Sequence, residues 1–206
     1  MMLLKLLSKT SEAKATTVPA HKRPQARLAA NTLPNPLESE PLPATPGGFA
    51  AELRAMQNKA FCESERYQGQ QNRADRVGAL PILLELERKV VKRFKKLGIP
   101  MFSVYVMRSR AEQAELFARK KTKAKPGESP HQYGLAFDII HGVKGYELTD
   151  RQWLLVKHIV FETAQSLGVK LRWGGDWDGD GNIYDNQLFD PAHFEIANWR
   201  EIGTKR

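Results

Sequence analysis

The sequence has 206 residues, 41% of them hydrophobic, a length that suits one domain of ordinary size with a tail. Its single cysteine, Cys62, excludes an intramolecular disulfide and a cysteine-rich zinc site. The formal net charge of +9 is compatible with nucleic acid, an anionic membrane, cell-wall polymers or merely a solvated basic surface. No run approaches the ~20 apolar residues that cross a bilayer, so we expect no transmembrane segment.

The first 60 residues differ in composition from the rest of the chain. Residues 1–9 form a short apolar run without a preceding basic region or a small-residue cleavage site, so we predict no signal peptide and synthesis in the cytoplasm. Seven prolines between residues 19 and 46 forbid a long helix and leave few large apolar groups to bury. We therefore predict a disordered or semi-extended basic segment over residues 1–60, with a helix possible at 49–60, and a folded domain over residues 61–206.

Periodic apolar positions and capping signals predict the elements of that domain. Two capping-box patterns predict helix starts at Ser109 and Thr149, and Gly98 and Gly168 follow predicted helix ends. Helices are predicted at 80–97, 109–119 and 149–167, and strands at 102–107, 135–140, 169–173 and 193–196. Because helices and strands do not alternate regularly, the pattern favours an α+β fold with an antiparallel sheet over a doubly wound sheet.

Two of the five histidines, His131 and His193, lie in segments that could build a metal site. Asp138 lies inside a predicted apolar strand, where an ionised carboxylate is costly to desolvate unless a cation meets it. Imidazole nitrogen and carboxylate oxygen are good zinc ligands, and catalytic zinc sites use three protein ligands plus water. Spacing alone does not distinguish such a metal site from a structural histidine accompanied by an aspartate that caps a helix or turn. His141 could serve either purpose, and we expect His158 to be structural or solvated.

Three segments support a more specific interpretation: SPHQYGLAFD at 129–138, WGGDW at 173–177 and DPAHFE at 190–195. In this order they resemble the zinc D-alanyl-D-alanine carboxypeptidase and dipeptidase family, and most of all its phage branch, the L-alanyl-D-glutamate peptidases used as endolysins. The resemblance implies a small antiparallel sheet flanked by helices, the Hedgehog/DD-peptidase-like fold. It also implies a zinc ion bound by His131, Asp138 and His193.

The resemblance also implies roles for two further residues. Asp190 would be the general base that later acts as an acid, and Arg108 would offer positive charge to the oxyanion or to a substrate carboxylate. Many family members carry glutamate where this chain has Asp190, whereas the endolysin-like branch commonly uses aspartate. Glu195 is the rival for the acid, because positions 193 and 195 of a strand point to the same side. If Asp190 is the base, Glu195 becomes a partner that orients a metal ligand.

A second metal is suggested by the loop DWDGDGNIYDNQ, which begins at Asp176. Asp176, Asp178 and Asp180 match the first, third and fifth positions of a calcium-binding loop, and Gly181 matches the sixth. Gln187 stands at position twelve, where a bidentate glutamate is usual, and this favours weak affinity or none. Some endolysins of the resembled branch carry a calcium loop here, and the alternative is a surface turn.

The function that the resemblance implies is hydrolysis of peptidoglycan stem peptides, at the L-alanyl-D-glutamate bond in an endolysin-like enzyme. The alternatives are a D-alanyl-D-alanine carboxypeptidase and a peptidoglycan-binding module that has lost catalysis. A nucleic-acid-binding protein is suggested by charge alone, because no stacking platform of aromatic residues accompanies it. We expect a monomer, phage-encoded or phage-derived, that acts on the cell wall and contacts anionic wall polymers.

Overall fold

The computed structural model describes residues 48–185 and 188–205, so His21, Gln187 and the prediction for residues 1–47 lie outside the described residues. The helices are α1 (Gly48–Met56), α2 (Lys59–Cys62), α3 (Glu65–Gln71), α4 (Pro81–Lys96), α5 (Arg110–Ala118), α6 (Asp150–Gln165) and α7 (Trp199–Gly203). The strands are β1 (Met101–Tyr105), β2 (Ala136–His141), β3 (Leu171–Trp173) and β4 (His193–Ile196). A 3-10 turn spans Pro130–Tyr133.

The four strands form one antiparallel sheet in the order β1-β2-β4-β3, and this confirms the predicted α+β fold. Strand β2 lies inside the sheet and is buried along its whole length. Its pairing with β4 places Asp138 directly opposite His193, although the two residues are 55 positions apart in sequence. The sheet register therefore brings together two of the three predicted metal ligands.

Helices α4 and α6 pack against each other, and α4 also packs against β1. Both predicted capping boxes are present, with Ser109 and Glu112 at the start of α5 and Thr149 and Gln152 at the start of α6. A cap of this kind contributes about 1 kcal/mol to helix stability. These helices end within a few residues of their predicted limits because the signals that stop and start them are local.

Two helices at the N-terminal side of the described residues pack into the folded domain: α1 lies where a helix was predicted as possible, and α3 was not predicted. Helix α3 has a polar sequence, but Tyr67 is buried and its hydroxyl donates a hydrogen bond to the carbonyl of Met101 at 2.7 Å. Helix α1 packs against α6, Met56 is buried, and His141 Nε2 donates to the Met56 carbonyl at 2.8 Å. The folded unit therefore includes residues 48–60, which were predicted to belong to the N-terminal segment. The hydrogen bond to Met56 gives His141 a structural role.

Within residues 48–185 and 188–205, no helix has the length and apolar character of a membrane span.

Candidate metal centre

The 3-10 turn and the glycine after it position His131. Gly134 has a φ of +63°, and a Cβ there would lie 2.3 Å from the Cα of Ala79, so only glycine fits. His131 Nδ1 donates a hydrogen bond to the carbonyl of Val106 at 3.0 Å. This bond places the proton of the neutral ring on Nδ1. The other ring nitrogen, Nε2, therefore has a lone pair that can bind a cation.

His131, Asp138 and His193 converge on one point. Asp138 Oδ1 lies 3.2 Å from His131 Nε2 and 2.8 Å from His193 Nδ1. The two imidazole nitrogens are themselves 3.2 Å apart. Both histidines are buried and Asp138 is nearly so. The three side chains together form a group that could hold a metal ion, as the sequence motifs predict.

A chain of polar contacts behind the group fixes the orientation of His193. Its Nε2 lies 3.0 Å from Oε2 of Glu195, so Nδ1 faces the other two side chains. Glu195 is buried and accepts a hydrogen bond from Arg172 Nε at 2.7 Å. Arg172 stands directly opposite Glu195 in the pairing of β3 with β4. The contact expected of Glu195 is present, whereas Arg172 could be found only once the strand pairing is known.

Charge is distributed unequally over the group in the absence of metal. Burial alone would lower the pKa of His193, but its hydrogen bonds to Asp138 and Glu195 raise that pKa to about 10. Burial would raise the pKa of Asp138, but its electrostatic interaction and hydrogen bond with His131, together with its contacts with His193, hold that pKa well below its ordinary value. The metal-free centre therefore holds a proton on His193 and a negative charge on Asp138.

Asp190 reaches the centre through a bend that the WGGDW segment supports. Trp173 Nε1 donates to the carbonyl of Pro191 at 2.8 Å, and the Asp190 amide donates to the carbonyl of Gly174 at 2.8 Å. A Cβ on Gly174 would lie 2.4 Å from the Asp190 carbonyl oxygen, and one on Gly175 would lie 2.3 Å from the Trp173 ring. Both glycines are therefore required by close packing.

The environment of Asp190 favours its protonated form. Burial, followed by the nearby negative charge of Asp138, raises the pKa of Asp190 to about 6, although His193, His131 and Arg108 act in the opposite direction. These influences place its carboxyl group within electrostatic reach of all three members of the metal group. A carboxyl group with a pKa near neutrality can exchange a proton in either direction at physiological pH.

Arg108 lies on the other side of Asp138. Its Nη2 is 3.8 Å from Asp138 Oδ2, and its backbone amide donates to the carbonyl of His131 at 3.1 Å. Its Nη1 donates at 3.0 Å to Gln113 Oε1, and the buried Gln113 uses its own nitrogen to donate to Ala124 at 2.7 Å. Gln113 was missed by sequence reasoning because a lone glutamine in a helix carries no functional signal.

Comparison with known proteins agrees with this geometry. The family described as phage L-alanyl-D-glutamate peptidase matches residues 82–197, which contain the whole metal group, Arg108 and Asp190. The chain belongs to this family. The L-alanyl-D-glutamate peptidase of Escherichia phage T5 is 30% identical over 119 residues, which cover 53% of this chain and 85% of the phage protein. The family resemblance in the sequence motifs is thus confirmed.

One solved structure shares the fold of this phage-type peptidase, and a second is similar at a lower score. The L-Ala D-Glu endopeptidase ChiX of Serratia marcescens superposes with a TM-score of 0.50 and 21% identity, covering 68% of this chain and 91% of that chain. The L,D-carboxypeptidase DacB of Streptococcus pneumoniae gives a TM-score of 0.43 at 22% identity. The superposed region covers 66% of this chain and 75% of the DacB chain.

The aspartate-rich loop of the phage-type peptidase is a second group of acidic side chains. The carboxylate oxygens of Asp176, Asp178 and Asp180 lie within 4.8 Å of one another. Asp176 is buried, and its Oδ2 pairs with Lys157 Nζ at 3.1 Å. The same carboxylate accepts hydrogen bonds from the amides of residues 179 and 181, at 2.9 and 3.2 Å. Asp178 and Asp180 are exposed. Lys157 is a further residue that sequence reasoning missed.

Proposed function

We propose that this chain is a zinc peptidase that hydrolyses peptidoglycan stem peptides at the L-alanyl-D-glutamate bond. The observation that carries the proposal is the convergence of His131, Asp138 and His193 inside the segment that the peptidase family matches. Ligands about 2.0–2.1 Å from a tetrahedral zinc ion lie about 3.3 Å from one another. The observed separations of 2.8 to 3.2 Å, with two imidazole nitrogens and one carboxylate oxygen, fit that ion.

Each residue around the group has a task in the proposed hydrolysis. Zinc, when bound, supplies the Lewis acidity that makes water reactive near neutral pH. Asp190 accepts the proton of the attacking water and returns it to the amine that leaves, because its carboxyl group lies within electrostatic reach of His131, Asp138 and His193. Arg108 offers fixed positive charge to the oxygen of the attacked carbonyl. Glu195, held by Arg172, keeps His193 in its orientation.

Mass spectrometry of the products from purified peptidoglycan tests this function. We expect a new amino terminus on glutamate and a new carboxyl terminus on L-alanine, in digests by the zinc-loaded wild type but not by His131→Ala. Release of free D-alanine would instead identify the D-alanyl-D-alanine carboxypeptidase alternative. Binding to the wall without any product would identify a module that has lost catalysis.

We further propose that the segment before the packed helices delivers the enzyme to anionic wall polymers. The support is its charge and its position, because the described helices begin at Gly48 and the matched family segment begins at residue 82. A chain that starts at Gly48 should keep its turnover on soluble muropeptide and sediment less with purified walls. A truncation near Gln70 would instead remove Met56 and Tyr67 from the core and should unfold the domain.

A further inference from the structure

A cavity of about 370 Å³ adjoins the metal centre, between the turn that ends β1 and the segment that carries His131. Its walls include Arg108, Arg110 and Gln132. It is adjacent to the centre because Arg108 contacts Asp138 with one guanidinium nitrogen and His131 with its backbone amide. A substrate whose scissile bond lies at the metal would therefore extend into this cavity with the atoms next to that bond.

Two guanidinium groups give the cavity its chemistry. The Nε of Arg108 is buried and has no hydrogen-bond partner, while its Nη1 donates a hydrogen bond to Gln113. Arg110 is exposed, and its Nη1 lies 3.6 Å from the position of a Cβ on Gly127, so it reaches across to the opposite wall. The absence of a side chain at Gly127 leaves room for that reach.

The cavity is lined by fewer acidic side chains than basic ones. Asp75 also lines it, and one of its oxygens already accepts a hydrogen bond from the amide of Val77 at 2.9 Å. Because Arg108 is shared with Asp138, Arg110 is the guanidinium that gives the cavity its preference for an anionic ligand. Guanidinium groups bind carboxylates in a planar, charge-assisted geometry that a neutral amide cannot reproduce with equal strength.

We propose that this cavity binds the second carboxylate of the substrate's glutamate, with Arg110 as the residue that distinguishes carboxylate from carboxamide. The inference rests on the proposed function. Glutamate has two carboxyl groups, of which one continues the peptide and the other remains free or amidated. The second carboxylate is only a few bonds away from the glutamate nitrogen, which belongs to the scissile amide. It could therefore reach a cavity that lies beside the metal centre.

Two synthetic stem peptides that differ only in this group, carboxylate or carboxamide, provide the test. The zinc-loaded wild type should cleave the carboxylate form with a KM about tenfold lower, because charge-assisted hydrogen bonds are roughly twice as strong as neutral ones. Arg110→Gln should remove that preference by raising KM for the carboxylate form, with kcat little changed. The matched control is Arg119→Gln, at the other end of α5, where Arg119 pairs with Glu115 at 2.6 Å. It should keep the preference.

Calorimetric binding of both peptides to the metal-free protein separates this inference from the proposed function. Preferential binding of the carboxylate form that Arg110→Gln abolishes supports the cavity even if neither peptide is cut, in which case the proposed function alone fails. Cleavage without a preference, or a preference that survives Arg110→Gln, overturns the inference and leaves the proposed function intact. Absence of both binding and cleavage overturns both.

Discussion

Among residues 48–185 and 188–205, two groups of side chains have the composition of cation sites, and they differ in how their ligand atoms are held. In the metal centre, partners outside the group fix the far side of each histidine: the Val106 carbonyl holds His131 and Glu195 holds His193. The remaining ligand atoms point towards one another. In the aspartate-rich loop, Asp176 turns instead towards Lys157 and two backbone amides.

We infer from this difference that the direction in which neighbouring groups hold the candidate ligands bears on metal binding as much as their number. An outer partner on the non-binding nitrogen orients a histidine and raises its basicity. A cationic partner on the binding oxygens does the opposite, because it already balances the charge that a cation would balance. Each of the following changes tests one side of this contrast.

Loss of either histidine should abolish metal binding in the first group. Elemental analysis of the purified wild type should give close to one zinc per chain, and His131→Ala and His193→Ala should lose most of it. The matched control is His158→Ala, because His158 is exposed on α6 and its nearest charged partner is Glu162 at 3.9 Å. If both centre variants keep their full zinc content, the ligand assignment is wrong.

Asp190→Asn should lower kcat by about 10²–10⁴, the usual cost of losing a positioned proton acceptor, while zinc content and KM change little. Steady-state kinetics at saturating zinc would measure this, so that lost metal is not mistaken for lost chemistry.

Glu195→Gln is the companion change, because the two acids compete for the role of base. Its expected effect is a zinc affinity about 10–100-fold weaker, with kcat at saturating zinc near that of the wild type. Near-normal turnover in Asp190→Asn together with an inactive Glu195→Gln would exchange the two roles.

Zinc affinity should rise with pH, by about tenfold per pH unit between pH 6 and 8, because the cation must displace a proton from His193. The affinity rises rather than falls with pH because the pKa of about 10 keeps His193 protonated throughout that range in the metal-free protein. Competition with a chromophoric chelator at several pH values measures the slope. A zinc affinity that does not change with pH across this range would contradict the explanation.

Asp176→Asn should lower the free energy of unfolding by about 1–3 kcal/mol, because it weakens a largely buried ion pair and two hydrogen bonds. The matched change Asp178→Asn, at an exposed position of the same loop, should cost less than ~0.5 kcal/mol. Urea unfolding of the two variants measures the difference. Calcium binding by this loop stays a prediction: calorimetric heat that Asp178→Asn removes would confirm it, and no heat at millimolar calcium would leave Asp176 with a structural role alone.

Sequence reasoning was most successful where the determining signal is local. The starts of α5 and α6 follow from capping boxes, and β4 has its predicted limits. The grouping of His131, Asp138 and His193 could be predicted because three segments in the right order resemble the family, whereas spacing alone left a structural histidine open. Helix α3 was missed, since a polar segment becomes a helix here through Ser64 as its cap and the burial of Tyr67.

The supporting contacts of the centre could not be predicted, because they join residues that are distant along the chain. Arg172 contacts Glu195 only through the β3–β4 register, and Gln113 reaches Arg108 only because the loop at Ala124 holds its nitrogen. The calcium-loop pattern was visible, but Lys157, 19 positions before Asp176, carries no sign in the sequence that it occupies that carboxylate.

The separation of the ligands has a consequence for the order of events during folding. His131 and His193 are 62 positions apart, and they meet only when β4 has paired with β2. A chain that ends before β4 lacks the second histidine, so the ion cannot serve as a template for early local structure. On the proposed function, we expect metal capture to follow the pairing of β4 with β2. Zinc should then stabilise the paired state by about 4 kcal/mol when free zinc exceeds its dissociation constant a thousandfold.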